Sequence, residues 1–223
     1  MRILPSGSRA LMLELGDVDE VRAWHAAATQ ARLPGVVDLV PAARTLLVVL
    51  DQISAASLAG AVPPLDDLAR RLRELHPVQG RRPDESASSA DADRPDTLEV
   101  PVRYDGDDLA EVAALWDCDV AEVVRRHTGV RWSVAFCGFA PGFAYLVPDG
   151  GGDRWDVPRR DVPRTSVPAG SVGLAGPYTG VYPSASPGGW QLVGRTTLEL
   201  FDVWREPPAL LTPGRRVRFV DVT

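Results

Sequence analysis

The sequence predicts an α+β protein in two domains: a small N-terminal α/β sandwich, then a closed or nearly closed β-barrel. Three observations predict it. Residues 1 to about 76 alternate strand-like and helix-like apolar periods. A polar stretch from Val78 to Asp96 then breaks the pattern. From Val130 onward the chain runs as short apolar segments separated by Gly and Pro, the punctuation of many short strands. The domains are placed at 1–80 and 97–223, with 81–96 as a flexible linker.

Each element has a local cause. Arg9 to Leu15 follows the Pro5-Ser6-Gly7-Ser8 turn as a strand. Asp17 caps a helix reaching to about Leu33, and Glu20 three residues on completes a capping-box-like pattern. Val21, Trp24, His25 and Ala28 share one face, so His25 reads as a packed boundary residue. Pro34-Gly35 stops that helix. Val36 to Val40 and Arg44 to Leu50 are strands around a Pro41 turn, and Leu65, Leu68, Leu72 and Leu75 stripe a second helix. In the second domain Thr97 to Tyr104 alternates as a strand. Helical segments follow at Asp107 to Trp116 and Asp119 to His127. Strands are then predicted at Val130 to Cys137, Val172 to Leu174, Trp190 to Val193, Leu198 to Phe201 and Val217 to Val222.

Composition excludes several function classes. All 24 basic residues are Arg, which removes a P-loop, a Schiff-base lysine and the kinase lysine. A net charge of −6 argues against nonspecific nucleic-acid binding. No apolar run approaches a membrane span and no signal peptide is legible, so a cytoplasmic location is expected. Cys118 and Cys137 read as free thiols, and the three scattered histidines predict no metal site.

The segment Cys137 to Gly194 carries the chemical information. It holds 12 of the 20 glycines and 8 of the 20 prolines, interleaved with aromatic side chains and arginines. Gly138, Phe139, Pro141, Gly142, Phe143 and Tyr145 put rings on a constrained backbone. Arg159, Arg160 and Arg164 follow on Pro-limited loops. Ser166, Gly170 and Ser171 offer hydroxyls and backbone N–H groups, and Tyr182, Gly188, Gly189 and Trp190 repeat the small-plus-aromatic theme. Arginine forks and backbone nests bind carboxylate or phosphate, which points to a small anionic substrate. The alternative is that Gly and Pro turn barrel corners while the arginines are surface charge. His127 is a candidate acid–base group, with a helix C-cap role as the competing reading. No Ser-His-Asp signature is present.

The strings GFAPGFAYL (138–146), PRRDVPRTSVPAGSVGLAG (158–176) and TGVYPSASPGGWQLVGRT (179–196) resemble one family. So do EVVRRHTG (122–129) and EPPALLTPGRRVRFV (206–220). It is the family of allophanate hydrolase subunit 1, which includes the B subunit of 5-oxoprolinase and the sporulation-kinase inhibitor of bacilli, KipI. The resemblance covers most of residues 97–223, while over 1–80 only the general pattern agrees. This chain departs from the family at Ala144, where Pro is usual, and in a shortened Tyr104 to Asp108 turn.

The resemblance implies a cyclophilin-like barrel and a place in a heteromeric complex. The implied partners are a homologue of allophanate hydrolase subunit 2 (the 5-oxoprolinase C subunit) and a homologue of the 5-oxoprolinase A subunit. The implied reaction is ATP-dependent hydrolysis of the lactam of 5-oxo-L-proline to L-glutamate, a C–N bond in a cyclic amide. ATP would be used with the partner subunits, and no metal site is expected in this chain. Phosphorylating an amide oxygen creates a leaving group, and Arg159, Arg160 and Arg164 are the cations here that suit the developing charge. Arg164→Ala is expected to remove assembly activity while leaving the fold intact. The alternatives are a regulator that binds a sensor histidine kinase, and an accessory protein of the urea/allophanate pathway.

Overall fold

The computed structural model describes residues 1–51, 64–77, 97–149 and 155–223. The chain divides into two compact units, Met1–Ala87 and Ser88–Thr223. The stretch expected to be a linker lies outside the described residues.

The first unit is one antiparallel sheet with helices on one face. Its strands are β1 (Arg2–Pro5), β2 (Ala10–Glu14), β3 (Val36–Pro41) and β4 (Thr45–Leu50), in the order β1-β2-β4-β3. Helix α1 (Val18–Ala31) starts where the sequence places it: the Asp17 side chain accepts from the Glu20 N–H at 2.8 Å. Glu20 answers by accepting from the Gly16 N–H at 2.6 Å. Alternation along β2 and β4 sends Leu11, Leu13, Leu46, Val48 and Leu50 to one face, where Val21 and Trp24 of α1 meet them. Leu68 and Leu72 of α2 (Pro64–Glu74) join the same core.

The second unit is the nearly closed barrel. Seven strands run in the order β12-β9-β10-β7-β6-β13-β5. They are β5 (Leu98–Val102), β6 (Trp132–Cys137), β7 (Ala144–Pro148), β9 (Ser171–Ala175), β10 (Tyr178–Val181), β12 (Gln191–Arg195) and β13 (Arg216–Asp221). The first and last strands of that order meet at one bridge, where Arg103 and Arg195 exchange both backbone bonds at 2.9 Å. A separate ribbon, β8 (Arg164–Val167) with β11 (Ser186–Gly188), pairs outside the main sheet. Helices α3 (Leu109–Leu115) and α4 (Val120–Gly129) pack into the interior with Val112 and Val123.

Period two divides the barrel strands between two cores. Ala144, Leu146, Val172, Leu174 and Val193 fill the interior with Trp132, Trp155 and Phe219. The alternate positions build an outer cluster of Phe143, Val167, Ala175, Tyr182, Trp190 and Leu192. The segment Leu198 to Phe201, expected as a strand, is a loop holding one isolated bridge, Phe201 to Ala209. Two of its carbonyls, Glu199 O and Leu200 O, accept from the Arg205 side chain, which also donates to Pro208 O, and Leu200 O accepts from the Leu210 N–H as well.

Candidate functional site

The Gly/Pro-rich strings fold into the outer face of the barrel. Gly138 to Gly142 form the tight turn between β6 and β7. Phe139 takes φ 72 there, a conformation a bulky side chain adopts only when its surroundings hold it. Gly142 at φ 83 lets the turn lie against Phe201: a Cβ at Gly142 would come within 2.6 Å of the Phe201 Cβ. The chain then enters β7, which carries Tyr145 outward and Leu146 inward.

Rings converge on this face. Phe143 meets Tyr182 and Trp190 edge-on, with centroids 5.3 Å apart in both pairs. Tyr145 stacks on Phe136 at 4.3 Å and meets Trp190 at 5.5 Å. Phe139 caps the cluster at 5.4 Å from Phe143, yet 60% of its surface is exposed. Such edge-to-face pairs add order beyond their buried area. Burial raises the Tyr145 and Tyr182 hydroxyls above the ordinary tyrosine value, and the Arg159 charge partly opposes this in both. Arg159 is therefore near both phenols. It stands exposed, and among the described residues no carboxylate pairs with it.

Arg160 and Arg164 also converge, but on a carboxylate. Asp108, only 3% exposed, accepts from Arg164 Nη1 at 2.8 Å and Nη2 at 2.9 Å in a two-pronged fork. It also accepts from Arg160 Nη1 and, at 2.7 Å, from the Leu192 N–H. Burial alone would raise this carboxyl, but the Arg164 bonds, the Leu192 N–H and the two guanidinium charges hold it below its ordinary value. Asp108 precedes α3 in the position of an N-cap, and its side chain makes no cap bond because the arginines have claimed it. The clamp ties α3, β8, the 158–163 loop and β12 together.

The other expected site residues are distributed around this face. Gly188 lies under Tyr182, where a Cβ would come 2.3 Å from the phenol oxygen. Gly189 accepts from the Arg160 N–H at 2.8 Å, which fixes the arginine loop to the β11 end. Gly170 donates to Tyr182 O at 2.7 Å, and Ser171 O accepts from the Tyr182 N–H at 2.9 Å. These two residues place the tyrosine through backbone. The Ser171 side chain is buried, while Ser166 is exposed on β8. Pro141 is exposed in the β6–β7 turn.

His127 is not among them. It is fully buried on the interior side, stacked on Phe219 at 4.3 Å. Thr179 Oγ1 donates to Gly173 O at 3.2 Å, so it accepts from His127 Nε2–H at 2.9 Å. His127 Nδ1 then accepts from the Tyr104 hydroxyl at 2.6 Å. Burial pushes the imidazole down to about 3. With both nitrogens engaged and no exposed edge, the catalytic expectation has no face to offer a substrate. The C-cap alternative also gives way, because the side chain turns into the core. Cys137 is likewise a quiet thiol, raised by burial to about 11.

At the site, sequence reasoning missed Asp108 and Phe136, and in the interior it missed Tyr104 as the partner of His127. Asp108 had one legible signal, its place just ahead of the apolar run of α3. Among the described residues no group of three or more His, Cys, Asp or Glu side chains is placed to hold a metal. No helix there is long and apolar enough to cross a membrane.

Comparison with known proteins extends the match to the N-terminal unit. A family model described as "Carboxyltransferase domain, subdomain C and D" matches residues 1–211. The 5-oxoprolinase B subunit of Escherichia coli O157:H7 is 40% identical, over 96% of this chain and 93% of that protein. The 5-oxoprolinase B subunit of Bacillus subtilis (strain 168) is 37% identical, over 97% and 91%. Among solved structures, PH0987 from Pyrococcus horikoshii is 33% identical with a TM-score of 0.55, covering 99% of this chain and 97% of that one. TTHA0988 is 33% identical with a TM-score of 0.70; the match covers 96% of this chain but 40% of that longer one. The urea amidolyase of K. lactis has a TM-score of 0.65 at 20% identity, a likeness of fold alone.

Proposed function

Because the chain belongs to the carboxyltransferase-domain family (subdomains C and D), the family of allophanate hydrolase subunit 1 and the 5-oxoprolinase B subunit, we propose that it is the B-type component of an ATP-dependent lactam hydrolase. The reaction is opening of 5-oxo-L-proline to L-glutamate, performed with homologues of the C-type (subunit 2) and A-type components. The observation that carries this is 40% identity to a 5-oxoprolinase B subunit along almost the whole of both chains.

The site geometry supports a share of the work for this chain. Beside the aromatic face, Arg159 has no carboxylate partner among the described residues, so it is the group for a substrate carboxylate. The rings of Phe139 and Tyr145, backed by the buried Phe143 and Tyr182, give a small cyclic acid an apolar wall next to that charge. Arg160 and Arg164 serve differently: Asp108 between them, with Glu111 4.0 Å from Arg160 and Asp107 3.6 Å from Arg164, offsets their charge, so they hold the 158–164 loop in place and thereby aim Arg159. Neutralised arginines are poor triphosphate ligands, and ATP is assigned to the companion subunits.

The test is glutamate release from 5-oxoproline and ATP by the reassembled complex. Arg159→Gln should raise KM for 5-oxoproline about tenfold or more with little change in the thermal transition, as loss of one charge-assisted contact predicts. No ATP-dependent glutamate release from the complete wild-type assembly would overturn the proposal.

A further inference from the structure

The loop between β12 and β13 puts its largest apolar side chain where a folded chain alone has no use for it. Trp204 is 92% exposed, with Val203 at 65% and Phe201 at 37%. The loop is nevertheless held firmly. Arg205 staples three carbonyls at 2.9–3.3 Å from beneath. The Asp202 side chain accepts from the Trp204 N–H at 2.9 Å, and Asp202 N donates to Pro208 O at 3.0 Å. The guanidinium goes inward, and residues 203 and 204 are pushed out.

A second tip adjoins it. Phe201 lies against Gly142, so the β6–β7 turn with exposed Phe139 and Pro141 borders the same apolar surface. Within residues 199–206 the loop carries three carboxylates, Glu199, Asp202 and Glu206, against the single charge of Arg205. A protruding tryptophan on an ordered loop with an acidic collar has the character of an interface anchor: large area, little entropy left to lose, and a polar rim.

We infer that the Phe201–Trp204 loop docks the companion C-type component, Trp204 entering an apolar pocket whose rim is basic. This rests on the functional reading above. The choice of a companion polypeptide is supported by TTHA0988, where the matched fold occupies only 40% of the chain and so is joined to further polypeptide. It is also supported by the collar, whose charge favours a basic counterpart and disfavours a second acidic copy of this chain, net charge −6.

The experiment uses the full chain and its purified subunit 2 homologue. Affinity is measured by titration calorimetry, and self-association by sedimentation of the chain alone. Trp204→Ala should weaken binding at least about thirtyfold, the loss expected of an interface anchor. Its thermal transition should be unchanged, since the side chain is in water. Glu206→Arg should weaken binding further as salt falls, while the wild type binds more tightly at low salt. Wild-type affinity in both variants overturns the docking inference and leaves the functional reading standing. Absence of binding by the wild type overturns both. A wild-type dimer that Trp204→Ala dissolves would make the loop a self-interface and also overturn the inference.

Discussion

At the scale of single residues, Asp108 and His127 show opposite ways of burying a polar group. Asp108 keeps its charge because two guanidinium groups and a backbone N–H surround it. His127 gives its charge up because it is fully buried, and the neutral ring is satisfied by one hydroxyl that donates to it and another that accepts from it. The Asp108 clamp changes what Arg164→Ala should do. Sequence alone leads one to expect an intact fold, but removal of the fork leaves a nearly inaccessible carboxylate with half its cationic support. The variant should lose about 2–4 kcal/mol of stability, somewhat less than breaking a buried pair outright because Arg160 and the Leu192 N–H still hold Asp108. Arg164→Lys should recover only part of it, since an ammonium cannot make the two-pronged contact. Urea unfolding of both variants checks this; a wild-type midpoint in Arg164→Ala would show that the clamp carries no stability.

At the scale of elements, the helices were legible because their causes are local. Asp17 caps α1 at the position its spacing to Glu20 indicates, and Asp119, where the later helical segment is expected to begin, caps α4 by accepting from the Glu122 N–H. Strands β7, β8, β10 and β11 were not legible, because Gly and Pro in those stretches read as turn signals. Their strand character comes from partners: β10 from pairing with β9, and β8 with β11 from the need to cover Val167 and Tyr182. Glycine in the ribbon makes room for a ring rather than a turn. Gly188→Ala should force the Tyr182 phenol aside and destabilise the chain by about 1–3 kcal/mol, the range for overpacking. Loss of near-ultraviolet circular dichroism with retained far-ultraviolet signal is the expected signature, and unchanged spectra and midpoint would contradict it.

For the whole molecule, acid is the informative perturbation. His127 ionises near 6.5 when unfolded and only near 3 in the folded barrel. Between those values the unfolded state binds the extra proton, so stability rises with pH and falls on acidification. The slope is up to about 1.4 kcal/mol per pH unit from this one group. Tryptophan fluorescence follows the second unit, which carries five of the six tryptophans. In His127→Gln, where an amide reproduces the donor and acceptor, the dependence of the urea midpoint on pH between 6.5 and 4 should flatten. An unaltered slope would place the acid sensitivity elsewhere. By itself the sequence determined the α+β class, the helices with the Asp17 cap, the aromatic strings of the outer face and the family. Those depend on residue order and short-range periodicity. Tertiary structure alone decided that Arg160 and Arg164 spend their charge on Asp108, that no carboxylate among the described residues pairs with Arg159, and that His127 lies inside. The Asp108 clamp and the seating of His127 join residues 23 to 56 positions apart, where charge pairing and burial are set by how strands cross and not by neighbours in the chain.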